Sequence, residues 1–359
     1  MSEVRILRRV SVLATVAAFV ATLVPTATRA QDSSSLDVQL TSVDRAAARQ
    51  ATNRTHHATS RYLPKSATTS RTLLSSGHRT AAAHSGAPSR ADQSVPAPPP
   101  RYPADVTYQG GQVVEMAESH AVYLLPNGHC DVSQCWGNPE GFLRDFGRSE
   151  FSHVLDQYVG RTDNNRYTVG QHAKISFTPS STPLTDNDIV SYVHAVASRT
   201  GGTGYNHIYH VFLPQGTDEC FDNTFTVCYS PDNNATFFFC AYHGSADFSD
   251  IGHVLYSVEP YQNVFGCSDP PGTPNGQLVD STNDVLSHEL SETISDPDGD
   301  AWWNATPSVT GLQGEEIGDE CVFIVPPAFG DPSVFTIGRH LYAVQLEYSN
   351  SVHGCAGTP

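Results

Sequence analysis

All eight cysteines of this 359-residue chain fall at positions 130, 135, 220, 228, 240, 267, 321 and 355, and that placement limits the folds open to it. An even count without a close Cys-x-x-Cys pair favours disulfides over metal thiolates when the chain is exported. Nearest-neighbour pairing then predicts Cys130–Cys135, Cys220–Cys228, Cys240–Cys267 and Cys321–Cys355. The last of these would tie the segment near residue 320 to the C-terminus.

The N-terminus supports export. Arg5, Arg8 and Arg9 precede an apolar run from about Val10 to Val24, and Thr28-Arg29-Ala30 stands before Gln31. This is the three-part layout of a secretory signal peptide over residues 1–30, and the pair Arg8-Arg9 also admits a twin-arginine reading. The run is too short to span a membrane comfortably, and no later one is long enough, so a secreted, extracellular protein is expected. Residues 1–105 carry 13 of the 20 Lys and Arg but only 6 of the 37 acidic side chains. That leaves 7 basic and 31 acidic residues in 106–359, a net charge of −24. Such a field disfavours nucleic acid and anionic membranes as partners. It is compatible with a plain solvated surface or with a site that attracts cations.

Residues 31–105 are rich in Ala, Ser, Thr and Arg and end in a proline run, Val95-Pro96-Ala97-Pro98-Pro99-Pro100. With few large apolar residues the segment is expected to be a disordered linker, with a pro-segment as the alternative. Residues 106–359 are long enough for one domain. Strand patterns occur at 121–125, 173–177, 208–213, 236–242, 254–258 and 341–348, with helical patterns at about 139–158 and from the N-cap Thr185 to Ser198. Their alternation predicts an α/β fold, a mixed sheet with packed helices, stapled by disulfides.

The chemistry lies in Ser287-His288-Glu289-Leu290-Ser291-Glu292, followed by Thr293-Ile294-Ser295-Asp296-Pro297-Asp298. Ser281, Thr282 or Asn283 can cap a helix that Asp296-Pro297 ends, with Leu286, Leu290 and Ile294 as its buried stripe. His288 and Glu292, four apart, stand one turn above the other and can converge on one ion. Glu289, rotated by about 100°, can reach a water on that ion.

This arrangement resembles the active-site helix of the zincins, His-Glu-x-x-His, with Glu292 in place of the second His. A zincin-like fold is therefore expected, with His288 and Glu292 as metal ligands and Glu289 as general base. A third ligand must come from downstream. Asp298 stands where the metzincins place theirs, while Glu316 and Asp319, in Gly314-Glu315-Glu316-Ile317-Gly318-Asp319-Glu320-Cys321, lie at the distance from which gluzincins draw a glutamate.

Residues 280–321, with Pro297, Trp302, Trp303 and Glu-Ile-Gly-Asp followed by Cys321, also resemble the bacterial and fungal relatives of the plant EXORDIUM, or phosphate-induced, proteins. The likeness extends more loosely over 119–359 and leaves out 1–105. It implies a secreted, disulfide-bonded extracellular protein, and it marks His288, Glu289, Glu292, Asp296, Glu316 and Asp319 as the motif positions. Peptidase activity is not implied by that family.

One His among carboxylates is a harder donor set than zinc usually takes, so zinc is expected with calcium or manganese as alternatives. His243 and His253 are candidates for a further imidazole. The expected function is a metal-dependent peptidase acting on an extracellular protein or peptide. The alternative is a non-catalytic extracellular binding or signalling protein on the same scaffold, in which His288 and Glu292 form a hydrogen-bonded pair that pins Glu316 or Asp319 in the core. Trp302 and Trp303 either line a cleft or pack over the helix end.

Overall fold

Along strand Ala117–Pro126, Val122 and Leu124 face one side while Ala121, Tyr123 and Leu125 face the other, and all five are buried. Side chains alternate across a strand, so a sheet with apolar residues in both registers must be covered on both faces. The computed structural model describes residues 35–60, 105–305, 315–322 and 333–359, with the backbone alone for 55–60 and 333. Residues 1–30, read above as a signal peptide, and residues 61–104 and Gly314 lie outside the described residues.

The central elements are β1 (Leu36–Val38), α1 (Ser42–Gln50), β2 (Thr52–Ser60), β3 (Ala117–Pro126), α2 (Pro139–Phe146), β4 (Tyr167–Val169), β5 (Ala173–Phe177), α3 (Asp186–Thr200), β6 (His207–Phe212), β7 (Phe239–Phe248), β8 (Gly252–Glu259), α4 (Gln277–Ser295) and α5 (Asp319–Val322). The strands form one eight-stranded mixed sheet in the order β1-β5-β3-β6-β8-β7-β2, with β4 also on β3. Pairing is parallel from β1 through β8 and antiparallel at β8–β7 and β7–β2. The expected α/β class with a mixed sheet is therefore what the chain adopts.

Helix α3 covers one face. Thr185 caps its start, as the sequence predicts, and closes a capping box with Asp188, while Ile189, Val190, Val193, Val196 and Ala197 pack on Val211, Val254 and Tyr256. Helix α4 crosses the other face, where Leu286, Leu290 and Ile294 join Tyr123, Phe142, Ile208, Phe212 and Leu255. The expected start of α4 is corrected: it begins at Gln277, after Gly276, with no side-chain cap. Ser281 and Thr282 are inside the helix, where their hydroxyls donate to the carbonyls of Gln277 and Leu278 one turn back. Its end is where the sequence places it, at Asp296.

The four disulfides pair as nearest neighbours, Cys130–Cys135, Cys220–Cys228, Cys240–Cys267 and Cys321–Cys355. Among the described residues no helix is long and apolar enough to cross a membrane.

The expectation that 31–105 is a structureless linker, with the domain starting at 106, is corrected over residues 36–60. Here β1 extends the sheet beside β5 and β2 extends it beside β7. Between them α1, closed by a Thr41–Asp44 capping box, docks on α3 through Asp44 and His194 at 2.9 Å. Edge strands are held by backbone hydrogen bonds, so a polar sequence such as Thr52-Asn53-Arg54-Thr55 can pair without apolar patterning.

Candidate metal centre

Under α4 the sheet presents polar side chains where alternation calls for apolar ones. On β6, His210 stands between Ile208 and Phe212; on β8, Ser257 and Glu259 follow Leu255; on β7, His243 and Ser245 share the same parity. All five are buried. Helix α4 lays its own polar residues on this patch and is buried from Asp280 to Ser295.

The predicted residues meet here. His288 Nε2 lies 3.1 Å from Glu292 Oε1 and 3.8 Å from Asp319 Oδ1. His243, from the middle of β7, places its Nε2 2.9 Å from Glu316 Oε2 and 3.8 Å from Glu292 Oε2. Two sets of donor atoms therefore fall within 4.8 Å of one another: His288, Glu292 and Asp319, and His243, Glu289 and Glu292. His288, Glu289, Glu292, His243 and Glu316 are fully buried, and Asp319 keeps 6 % of its surface.

The Glu315–Asp319 turn is brought against the helix by several bonds. Asn304 N–H donates to the Glu315 carbonyl, Tyr348 N–H donates to that of Ile317, and the Cys321–Cys355 disulfide holds α5 to the C-terminal ribbon. The Asp319 N–H then donates to Glu292 Oε1 at 3.0 Å. Close approach requires glycine at 318, where an added Cβ would lie 2.6 Å from His288 Nδ1 and 2.9 Å from Glu292 Oε1.

The electrostatics suit a cation. Burial alone would lower the His288 pKa, but the Glu292 carboxylate, with Glu289 and Asp319, holds it well above its ordinary value. Burial, then Asp296, Glu292 and Asp319, push Glu316 well above the carboxylate range. Burial raises Glu259 to about 8, against the hydrogen bond from Ser257. Glu292 Oε2 and Glu316 Oε1 are buried without a hydrogen-bond partner among the described residues. Unmatched carboxylate oxygens beside imidazole nitrogens, enclosed and negatively charged, are a donor set that a divalent ion fits.

The remaining candidates fall outside the centre, and Asp296-Pro297 ends the helix as expected. Asp298, the metzincin-position ligand, points away from the centre, where it accepts from Ser245 at 2.6 Å and from Tyr205. His253 belongs to that second cluster, with Nδ1 2.8 Å from Asp247 and Nε2 3.4 Å from Asp298. Asp296-Pro297-Asp298 makes a helix-stop turn, Asp296 accepting from Ala301 N–H at 2.6 Å. Trp302 and Trp303 pair with Thr107–Tyr108, the Trp302 indole donates to the Tyr158 carbonyl, and Trp302 packs against the apolar cluster that holds Leu286, Leu290 and Ile294.

Sequence reasoning missed Glu347 and Glu259. Glu347 is buried with neither carboxylate oxygen hydrogen-bonded among the described residues; burial raises its pKa well above the ordinary range, against the pull of His288. Glu259 could have been found, because a charged residue in the inward register of an apolar strand signals a buried polar layer. Comparisons with protein-family models, with curated proteins and with solved structures find no match to this chain.

Proposed function

We propose that this chain is a secreted metalloprotein whose centre on α4 serves a metal-dependent hydrolase, with peptides as substrates. The observation that carries the reading is the convergence of His288 Nε2, Glu292 Oε1 and Asp319 Oδ1 from a helix and a downstream turn 27 residues apart along the chain. Four disulfides and the lack of a membrane-crossing helix among the described residues fit an extracellular setting. The likeness to EXORDIUM relatives points to the same setting.

A bound divalent ion supplies Lewis acidity toward a carbonyl and acidifies water; zinc is the first candidate, manganese or calcium the harder alternatives. His288, Glu292 and Asp319 hold it. Glu289, next along the helix and within 4.8 Å of the His243 and Glu292 donor atoms, accepts the proton from water. Asp284, raised to about 7 by burial, stands one turn before His288.

Elemental analysis of the purified protein should find stoichiometric divalent metal, and a chelator should stop cleavage of an unstructured protein substrate. Glu289→Gln should keep the metal and slow cleavage by about 10²–10⁴-fold, the usual contribution of a general base. A Glu289→Gln protein that cleaves as fast as the parent ends the peptidase reading.

The burial of the whole centre favours a second reading, an extracellular binding protein in which the ion is structural. Metal that stabilises the fold with no hydrolysis of any peptide by the parent would select it.

A further inference from the structure

We propose that the centre holds two cations, with Glu292 bridging them. The inference rests on the metal-centre reading above and extends it. Glu292 stands where a zincin carries its second histidine, and the geometry gives that replacement a role. An imidazole donates one lone pair to one ion, whereas a carboxylate has two oxygens and can serve two.

The two oxygens of Glu292 face different neighbours. Oε1 lies 3.1 Å from His288 Nε2 and accepts from Asp319 N–H, whereas Oε2 lies 3.8 Å from His243 Nε2 and has no hydrogen-bond partner among the described residues. The His243 nitrogen is in turn 2.9 Å from Glu316 Oε2. Glu316 Oε1 is also buried without a hydrogen bond among the described residues. On the first side stand His288, Glu292 Oε1 and Asp319; on the second stand His243, Glu292 and Glu289, with Glu316 Oε2 reaching His243 Nε2 at 2.9 Å. Each side has one imidazole and carboxylates, the mixed set that zinc and manganese accept.

Charge supports the count. Glu289, Glu292, Glu316 and Asp319 surround two imidazoles inside a fully enclosed site. Among the described residues the ion-pair partners of Glu292 and Glu316 are the two histidines. Once metal binding displaces the protons that Glu316 and His288 hold in the ion-free centre, the buried carboxylates need compensation, and a single divalent ion balances two of these four. A second ion at His243 balances the rest. The β7 strand delivers His243 from the opposite wall, so the second position is assembled from sheet and turn while the first comes from helix and turn. Glu292 is the residue they share, and Glu289 stands with His243 on the second side.

The test uses the full chain, stripped with chelator and re-equilibrated with Mn²⁺ alone. Two equivalents per chain, with a spin-coupled electron paramagnetic resonance spectrum, are expected. His243→Ala and the isosteric Glu316→Gln should each halve the metal content and leave the spectrum of an isolated ion. Glu292→Gln should remove the coupling and weaken both positions. One equivalent of uncoupled Mn²⁺ in the parent overturns the two-cation proposal and leaves the single-ion centre standing. No bound metal from Mn²⁺ or Zn²⁺ overturns the centre itself. A Glu292→Gln variant that is folded by circular dichroism and still binds two coupled ions also overturns the bridging assignment.

Discussion

Helices α3 and α4 cover opposite faces of one sheet, and each is buried along most of its length. Helix α3 is buried by Ile189, Val190, Val193, Val196 and Ala197 and starts at a Thr185–Asp188 capping box. Helix α4 is buried with Asp280, Asp284, His288, Glu289 and Glu292 inside and starts without a side-chain cap. The first is held by burial of apolar surface. The second forfeits much of that term and concentrates charge that must be compensated by protons or cations. Depth of burial is therefore a poor guide to what a helix does; the chemistry of what is buried separates the two.

The largest separation should come from ligand dependence. Ile189→Ala on α3 should cost about 2–5 kcal/mol whether or not metal is present, because it opens a cavity in an apolar layer. Saturating divalent metal should stabilise the parent by about 4 kcal/mol at a thousand times its dissociation constant, and chelator should remove that gain. Glu292→Gln should abolish this metal-dependent shift, while Ile189→Ala should retain it in full. Denaturant titrations with and without metal check both, and an equal response of the two variants would dissolve the contrast.

Gly318→Ala probes the packing of the turn on α4. The new Cβ would meet the His288 ring at 2.6–2.7 Å, so overpacking should cost about 1–3 kcal/mol. Metal affinity should fall with it, by isothermal titration, because the displaced group is the proposed ligand His288.

A pH series probes the buried acids at the other end of α4. Burial, with Asp284 and Asp280 nearby, raises Asp269 to about 10, and burial raises Asp284 to about 7. A raised folded-state pKa means that the folded chain holds the proton more tightly than the unfolded one. The stability this gives is full below the unfolded pKa, near the ordinary aspartate value of 3.8, and is lost as pH rises toward the folded value. Metal-free protein should lose about 1.4 kcal/mol per pH unit for each such group through this window. Asp269→Asn should flatten the slope; an unchanged slope would place the proton elsewhere.

The smallest effect concerns the caps. Thr185→Ala should cost about 1 kcal/mol by removing a capping hydroxyl from α3. Thr282→Ala in α4 should cost less than about 0.5 kcal/mol, since its hydroxyl bonds back to Leu278 within the helix. Thermal denaturation of the two variants orders them.

Much of this was legible in the chain. Period-two runs located β5 without error and β3, β6 and β8 to within a few residues, because strands buried on both faces have little freedom in composition. The disulfide pairs followed from proximity in sequence. The spacing of His288 and Glu292 placed them together on one helix turn. The start of α4 was not legible, since Ser281 and Thr282 are good caps by residue type and only the extended helix shows their hydroxyls turned backward. Nor was the part played by Leu36–Ser60, whose strands are recruited by backbone hydrogen bonds that leave no apolar signature.

The sequence by itself determined the α/β class, the staples and the helix carrying His288, Glu289 and Glu292, because periodicity, cysteine spacing and helical geometry are local properties. Only the tertiary structure decided that Asp319 meets His288, that Glu316 meets His243, and that Asp298 and His253 stand apart. Those partners are set by sheet register and by a turn pinned through Cys321–Cys355. A contact between distant residues is fixed by how elements pack, and no local pattern encodes it.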